Sequence, residues 1–452
     1  MARDFTHGNP MRNILMFAIP MLIGNIFQQL YSTVDSIIVG NFEGSNALAA
    51  ISSSVSIQFL LVAVAMGFTG GISVVISQVY GARDHEKLKR VFSTGLIFMM
   101  GLAVVLGLCG VMISNPLLRM LGTPEEIMVN SSKYLRIMFL GMPAMFLYNM
   151  YASVMRAIGD SKTPLWFLII ATIVNIGLDY FFVANLGMGV AGVAWATLIA
   201  QGLSGLLCHF YVHEKVPLLS LGKGEWKFDK DIIGAIINYG FPAAIQQSIV
   251  SISMLFIQSF INFFGRNMMA AFGVANRIEN FALMPVMNIA MALSMFAGQN
   301  IGAGKEKRAL EGVKATVIVQ VGFCVVMAVI IPFVAPSLTS LFGLKDDPDV
   351  IRLCLLGLDF SSKFYFIFAT FQTLNQFHRG VGDTKFSMVA SLCMVFVRIP
   401  FTYVLVHIIH MGEISIWMGM VIGWVTALIV NSIRFFTGGW KGKAYVQKVQ
   451  AD

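Results

Sequence analysis

Asp35 and Asp179 are carboxylates set inside apolar runs, residues 14–40 and 165–186, and neither has a Lys or Arg within one helical turn. A full charge at the centre of a membrane helix costs ~2.5–3.5 kcal/mol on insertion scales, so function or pairing has to offset it. Gln28, Tyr31 and Asp35 follow one another at i, i+3 and i+7, and Asn175 and Asp179 at i and i+4. Helix periodicity puts each set on one face. If the two faces meet, a pair of carboxylates is joined by amide and hydroxyl oxygens in dry surroundings, and such a cluster wants a cation. Two fillings are open. Close carboxylates in low dielectric cannot both stay ionised, so a proton is held and released on wetting. Alternatively, oxygens of Asp35, Asp179, Asn175, Gln28 and Thr197 coordinate a hard monovalent ion. The plainer reading is that each Asp merely hydrogen-bonds a neighbouring helix.

The elements that must position these residues are membrane helices. Of 452 residues, 57% are hydrophobic and 12% charged, more apolar surface than a soluble core can hide. Twelve apolar stretches fall near 14–40, 47–79, 91–113, 131–155, 165–186, 189–212, 233–263, 270–298, 313–340, 350–377, 386–409 and 413–437. Most exceed the ~20 residues a spanning helix needs, and none shows the short alternation of barrel strands. The net charge of +8 is a topology signal rather than a nucleic-acid signal. With the N-terminus inside, 22 Lys and Arg fall on the inner side (Arg3 through Lys448) and six on the outer (Arg119, Lys133, Arg136, Arg266, Lys345, Arg352). That bias predicts cytoplasmic termini and a multi-pass protein of the plasma membrane. The first run is read as a retained helix, because it holds Asp35 and lacks a cleavage site.

The chain repeats itself. Ser77-Gln-Val-Tyr-Gly-Ala is echoed by Gly298-Gln-Asn-Ile-Gly-Ala, and Arg156-Ala-Ile-Gly-Asp-Ser-Lys by Arg379-Gly-Val-Gly-Asp-Thr-Lys, 223 residues on. Six spans separate the copies, an even number, so the repeats are parallel. The polar segment with Pro217, Gly222 and Gly224 is the joint. The division is an N-terminal six-helix lobe at 1–213, a cytoplasmic linker at 214–231 and a C-terminal six-helix lobe at 232–452. Two such lobes around a cleft argue for transport by rocking.

These paired loops, with "QQLYSTVDSIIVG", "SQVYGA", "NIGLDYFF" and "GVAGVAWAT", resemble the multidrug and toxic compound extrusion (MATE) family, and the resemblance covers essentially the whole chain. It implies a V-shaped, all-α membrane fold of twelve helices in two pseudo-symmetric bundles. It also implies export of amphipathic, usually cationic compounds against inward flow of protons or sodium ions. The coupling residues of the family's DinF-like branch match here as Gln28, Asp35, Tyr134, Asn149, Asn175, Asp179 and Thr197, with the bend of the first helix at Pro20. The glutamate that the NorM-like branch carries on its seventh helix is replaced by Gln246 and Gln247.

Other intramembrane charges are candidate cavity charges: Arg277 and Glu279, two apart and so on different faces, and Arg398, at the repeat position of Asn175. Structural pairing is the plainer role for all three. Asp359 and Lys363, at i and i+4, can satisfy each other. Cys109, Cys208, Cys324, Cys354 and Cys393 fall singly in apolar runs, and His209/His213 and His407/His410 lack a completing ligand, so neither a disulfide framework nor a metal site is expected. The 29 Met and 37 Phe suit an adaptable cavity but are mostly packing and lipid-facing residues. No Walker A spacing, His-Glu-x-x-His or Gly-x-Ser-x-Gly occurs. No cofactor beyond a coupling ion, no ATPase subunit and no nucleic acid is expected. The partners are the bilayer and small amphipathic substrates. The rival readings are a flippase for a lipid-linked saccharide, which wants an arginine-rich cleft, and a membrane-embedded enzyme.

Overall fold

The computed structural model describes residues 3–222, 224–341 and 347–446. Lys223, Lys345 and Lys448, which enter the charge count, lie outside these. Every regular element among the described residues is helical. In chain order they are α1 (Pro10–Phe42), α2 (Gly44–Gly81), α3 (His85–Met120), α4 (Glu125–Leu140), α5 (Met142–Ala157), α6 (Lys162–Tyr180) and α7 (Gly189–Lys215), then α8 (Lys230–Phe263), α9 (Arg266–Gly302), α10 (Glu306–Leu341), α11 (Pro348–Ser362), α12 (Tyr365–Gly380), α13 (Thr384–Tyr403) and α14 (Ser415–Phe436). The second seven repeat the first seven in order. Even the wide π turns recur, Phe181–Asn185 after α6 and Val404–Ile408 after α13.

Ten of these helices are long and apolar enough to cross a membrane, and the bent pair α4–α5 makes eleven. The twelfth expected stretch, 350–377, is the pair α11–α12, the repeat of α4–α5, whose Asp359 and Lys363 make it less apolar. Their expected ion pair forms at 2.7 Å. The 47° bend of α4–α5 has a local cause. Pro143 has no N–H to offer the Phe139 carbonyl four residues back, so the ladder breaks at Gly141. That carbonyl turns to α3, where a Cβ on Gly107 would sit 2.8 Å from the Phe139 oxygen.

The repeated Gly-Asp loops are structural devices. Gly159 and Gly382 both take φ of +92°, a turn that a residue with a side chain enters only at a cost. Asp160 then opens α6, accepting from the Lys162 and Thr163 N–H groups at 3.1 Å each. Its repeat, Asp383, instead accepts from Arg434 Nε at 2.8 Å.

By contact the chain forms two compact units. One comprises the residues up to Asp4 with Ile19–Ala244, the other Phe5–Ala18 with the residues from Ile245 onward. In the first unit α2 meets the opening half of α8 through small residues: a Cβ on Gly71 would lie 2.5 Å from Gly240 N, and one on Gly67 would collide with Ala244. Backbones can approach this closely only where side chains are nearly absent. The connection before α8 is clamped to α3, with Lys89 bonded to Glu225 at 2.7 Å and Ser93 Oγ exchanging hydrogen bonds with the Lys227 backbone at 3.0 and 2.9 Å. In the second unit, Phe5 is fully buried against Phe17 and Phe296, and its N–H donates to Gln299 Oε1 at 3.0 Å.

Candidate functional site

Within the first unit, α1, α4, α6 and α7 converge on a polar patch inside an otherwise apolar bundle. Ile38, Val39, Val183, Val190 and Val193 pack around Tyr134 at one end of it. Asp35 from α1 and Asp179 from α6 face each other at interaction range, with Tyr31 and Tyr134 beside both. Asp179 is completely buried and Asn175, one turn earlier, is 2% exposed. Both oxygens of Asp179, Oδ1 of Asp35 and both polar atoms of Asn175 are buried with no partner at hydrogen-bond geometry. Four acceptor oxygens and the Asn175 amide nitrogen therefore sit together unpaired, in a setting where an unpaired polar atom costs about 1–3 kcal/mol and a charged one more. Polar atoms in such numbers are rarely left orphaned unless something fills them.

Next to the carboxylates lies a cavity of about 10 Å³, whose polar lining is Tyr31, Thr172, Asn175, Thr197, Gln201 and Ser204. That is room for about one water-sized guest. Asn175 belongs to both the cavity wall and the carboxylate patch, so the two are contiguous.

The residues expected to couple transport are thus divided. Asp35, Asp179, Asn175, Thr197 and Tyr134 come together. Gln28 does not: it is exposed, although it shares a helix face with Asp35. Periodicity fixes the direction in which a side chain points, but not which turns of the helix a neighbour covers. Asn149 is half-buried and donates its amide to Met145 O of its own helix at 2.8 Å. Pro20 sits inside α1, which runs unbroken through it. Gln58 and Gln201, which face Tyr134 and Tyr31, were missed in the sequence, although Gln201 follows Thr197 at helical spacing.

The charges of the second unit have separate places. Glu279 is 4% exposed and accepts from the Ser361 and Tyr365 hydroxyls, the latter at 3.3 Å. Arg398, also 4% exposed, lines a cavity of about 270 Å³ together with Glu279. Arg277 is exposed. No sequence signal pointed to Ser361 and Tyr365, which reach Glu279 from either side of the break between α11 and α12.

Residues 20–181 and 242–404 each match the MatE family, one match per repeat. The chain belongs to the MatE family. Its relatives agree along the full length. The probable multidrug resistance protein YoeA of Bacillus subtilis is 32% identical, over 97% of this chain and 96% of that protein. The probable multidrug resistance protein YpnP of the same organism is 30% identical, over 99% and 100%. Among solved structures, a MOP superfamily transporter from Pyrococcus furiosus, reported as having a binding pocket of reverse polarity, superposes with a TM-score of 0.90 at 25% identity. The match covers 97% of this chain and 98% of that one. Membership in the MatE family makes the chain a multi-pass membrane transporter and excludes the enzyme reading. The twelve-span, two-repeat architecture expected from the sequence is that of this family.

Proposed function

We propose that this MatE-family chain is a secondary antiporter of the plasma membrane, with both termini cytoplasmic. It exports amphipathic, cationic drugs or metabolites in exchange for a proton or sodium ion taken up at Asp35 and Asp179. The observation that carries the reading is the meeting of two buried carboxylates, Asp35 and Asp179, whose inward oxygens have no hydrogen-bond partner among the described residues. A water or the Asn175 amide can donate to one or two of these oxygens, but only a proton or a small cation also offsets the repulsion between two facing carboxylates. The relatives named as multidrug resistance proteins supply the class of cargo.

The cycle follows from the charge. Empty, the patch is anionic, and its repulsion and desolvation favour any state that wets it. A proton or sodium ion entering from outside cancels one charge, lets α1 close on α6, and shifts the population toward the state that releases cargo. Bending of α1 near Pro20 is the expected motion, because the missing N–H leaves one rung of the ladder absent there. One ion exchanged for one monovalent cationic drug is electroneutral. Drawing on the membrane potential, worth ~2.3 kcal/mol per charge per 100 mV, requires a second ion or a neutral cargo.

The test is efflux of a fluorescent organic cation from proteoliposomes under an imposed proton or sodium gradient. One of the two gradients is expected to drive efflux in the parent. Asp35→Asn and Asp179→Asn are expected to lose the driven component by at least about tenfold, roughly the ~1.4 kcal/mol that a single lost ionic contact exceeds. Equal driven efflux in parent and variants rejects the coupling site.

A further inference from the structure

The second unit encloses a cavity of about 270 Å³, near the lower end of the ~300–1,000 Å³ typical of small-molecule sites. Its lining holds three charged side chains, Glu279, Arg379 and Arg398, of which two are cationic. Glu279 is already satisfied, because the Ser361 and Tyr365 hydroxyls both donate to its Oε1. Although Glu279 and Arg398 feel each other's charge, no ion pair joins them among the described residues. The guanidinium of Arg398 is 4% exposed, its Nε has no partner, and its Nη2 reaches only the Met254 sulfur, at 3.8 Å. Arg379, half-buried at the end of α12, has no side-chain hydrogen bond or ion pair among the described residues.

Glu279, held by two hydroxyls and not ion-paired to Arg398 among the described residues, returns only part of the cost of burying that guanidinium. The guanidinium's planar fork of donors fits a carboxylate, sulfonate or phosphate oxygen pair better than any neutral group. Amides such as Gln246, Gln247, Asn276 and Gln372 line part of the wall, and Trp424, Phe368, Met394 and Met420 give it an apolar, adaptable part.

We propose that this cavity is an anion-binding site, taking the carboxylate, sulfonate or phosphate of an amphipathic small molecule on Arg398, with its apolar body against Trp424 and the methionines. The site lies wholly in the second unit and is independent of cation coupling at Asp35 and Asp179. A cargo bearing both charges, or a separate anionic ligand, is accommodated without altering the first unit.

The experiment is calorimetric titration of the purified full chain in uncharged detergent with 2-naphthoate and with 2-naphthamide, its neutral isostere. The acid is expected to bind at least about tenfold more tightly than the amide. Arg398→Gln is expected to remove that preference and Arg398→Lys to keep part of it. Equal binding of acid and amide by the parent overturns the proposal without any variant having to fold. Naphthoate binding by a folded Arg398→Gln variant at parental strength overturns it as well. Repeating the titration in nanodiscs assigns the source. Weakened naphthoate binding in phosphatidylglycerol relative to phosphatidylcholine makes a lipid headgroup the occupant, and equal binding makes it a soluble anion; either result supports the anion site.

Discussion

The role proposed for Asp179 works against stability. Fully buried, with both oxygens unpartnered, this side chain is a liability to the fold in the absence of a cation. Asp179→Asn keeps the shape and removes the charge, so the account predicts a variant about 1–3 kcal/mol more stable and inactive in coupling. Thermal unfolding in detergent at neutral pH checks this, and a variant less stable than the parent goes against it. At this scale the sequence was informative where chemistry is costly. Acids in apolar runs declare themselves, and helical spacing correctly joined Asn175 to Asp179 and Tyr31 to Asp35. It misled at Gln28, because spacing says nothing about which turns of a helix are covered. It was silent on Ser361 and Tyr365, whose partner lies 82 and 86 residues away, a distance that no local pattern spans.

Helix contacts made by missing side chains are the feature that matters most among the elements. Gly67 and Gly71 on α2 face Ala244 and Gly240 on α8, two small-x-x-x-small pairs that bring backbone to backbone. Gly71→Leu is expected to cost about 1–3 kcal/mol or more, because at 2.5 Å the obstacle is main chain and cannot rotate away. Thermal melting of this variant beside Gly101→Leu, where nothing lies within 4 Å, separates a packing effect from a general one. The connection before α8 makes a pH prediction. The Gly222 N–H and the Lys89 ammonium hold the Glu225 carboxyl below its usual value of 4.5. A depressed carboxylate contributes stability above its unfolded value and loses it as pH falls through the folded one. Protection factors against hydrogen exchange, corrected for the intrinsic pH dependence of the amides, are therefore expected at residues 219–222 and 224–229 to fall below about pH 4.5 and to stay flat from 6 to 8. Protection that stays constant through the acid range removes Glu225 from the clamp. The apolar stretches themselves were legible as helices. The break in α4–α5 leaves no mark in hydropathy, and Pro143 is its only local signal. The π turns after α6 and α13 have no counterpart in hydropathy, which does not register a change of hydrogen-bond register.

For the whole molecule, repetition and charge asymmetry are the two large-scale signals. The repeat was readable because two loops preserve glycines at positive φ, Gly159 and Gly382, followed by an aspartate. Which helix segments pack together was not: the opening of α1 to Ala18 belongs to one compact unit and its remainder to the other, and chain order gives no hint of that. The excess of Lys and Arg on one set of loops predicts His85→Cys inside and Glu125→Cys outside. A membrane-impermeant maleimide applied to intact cells is expected to label the second and spare the first, and the opposite pattern reverses the topology. The central claim is that Asp35 and Asp179 exchange a small cation for cargo. It is tested most directly by adding a cationic drug to the purified chain in weakly buffered, low-sodium detergent while recording pH and sodium activity together. The account predicts that the parent releases about one proton or one sodium ion per drug bound, the reciprocity that linked binding demands, and that Asp179→Asn binds drug and releases neither. Drug binding by the parent with no ion released, or equal release by Asp179→Asn, contradicts it.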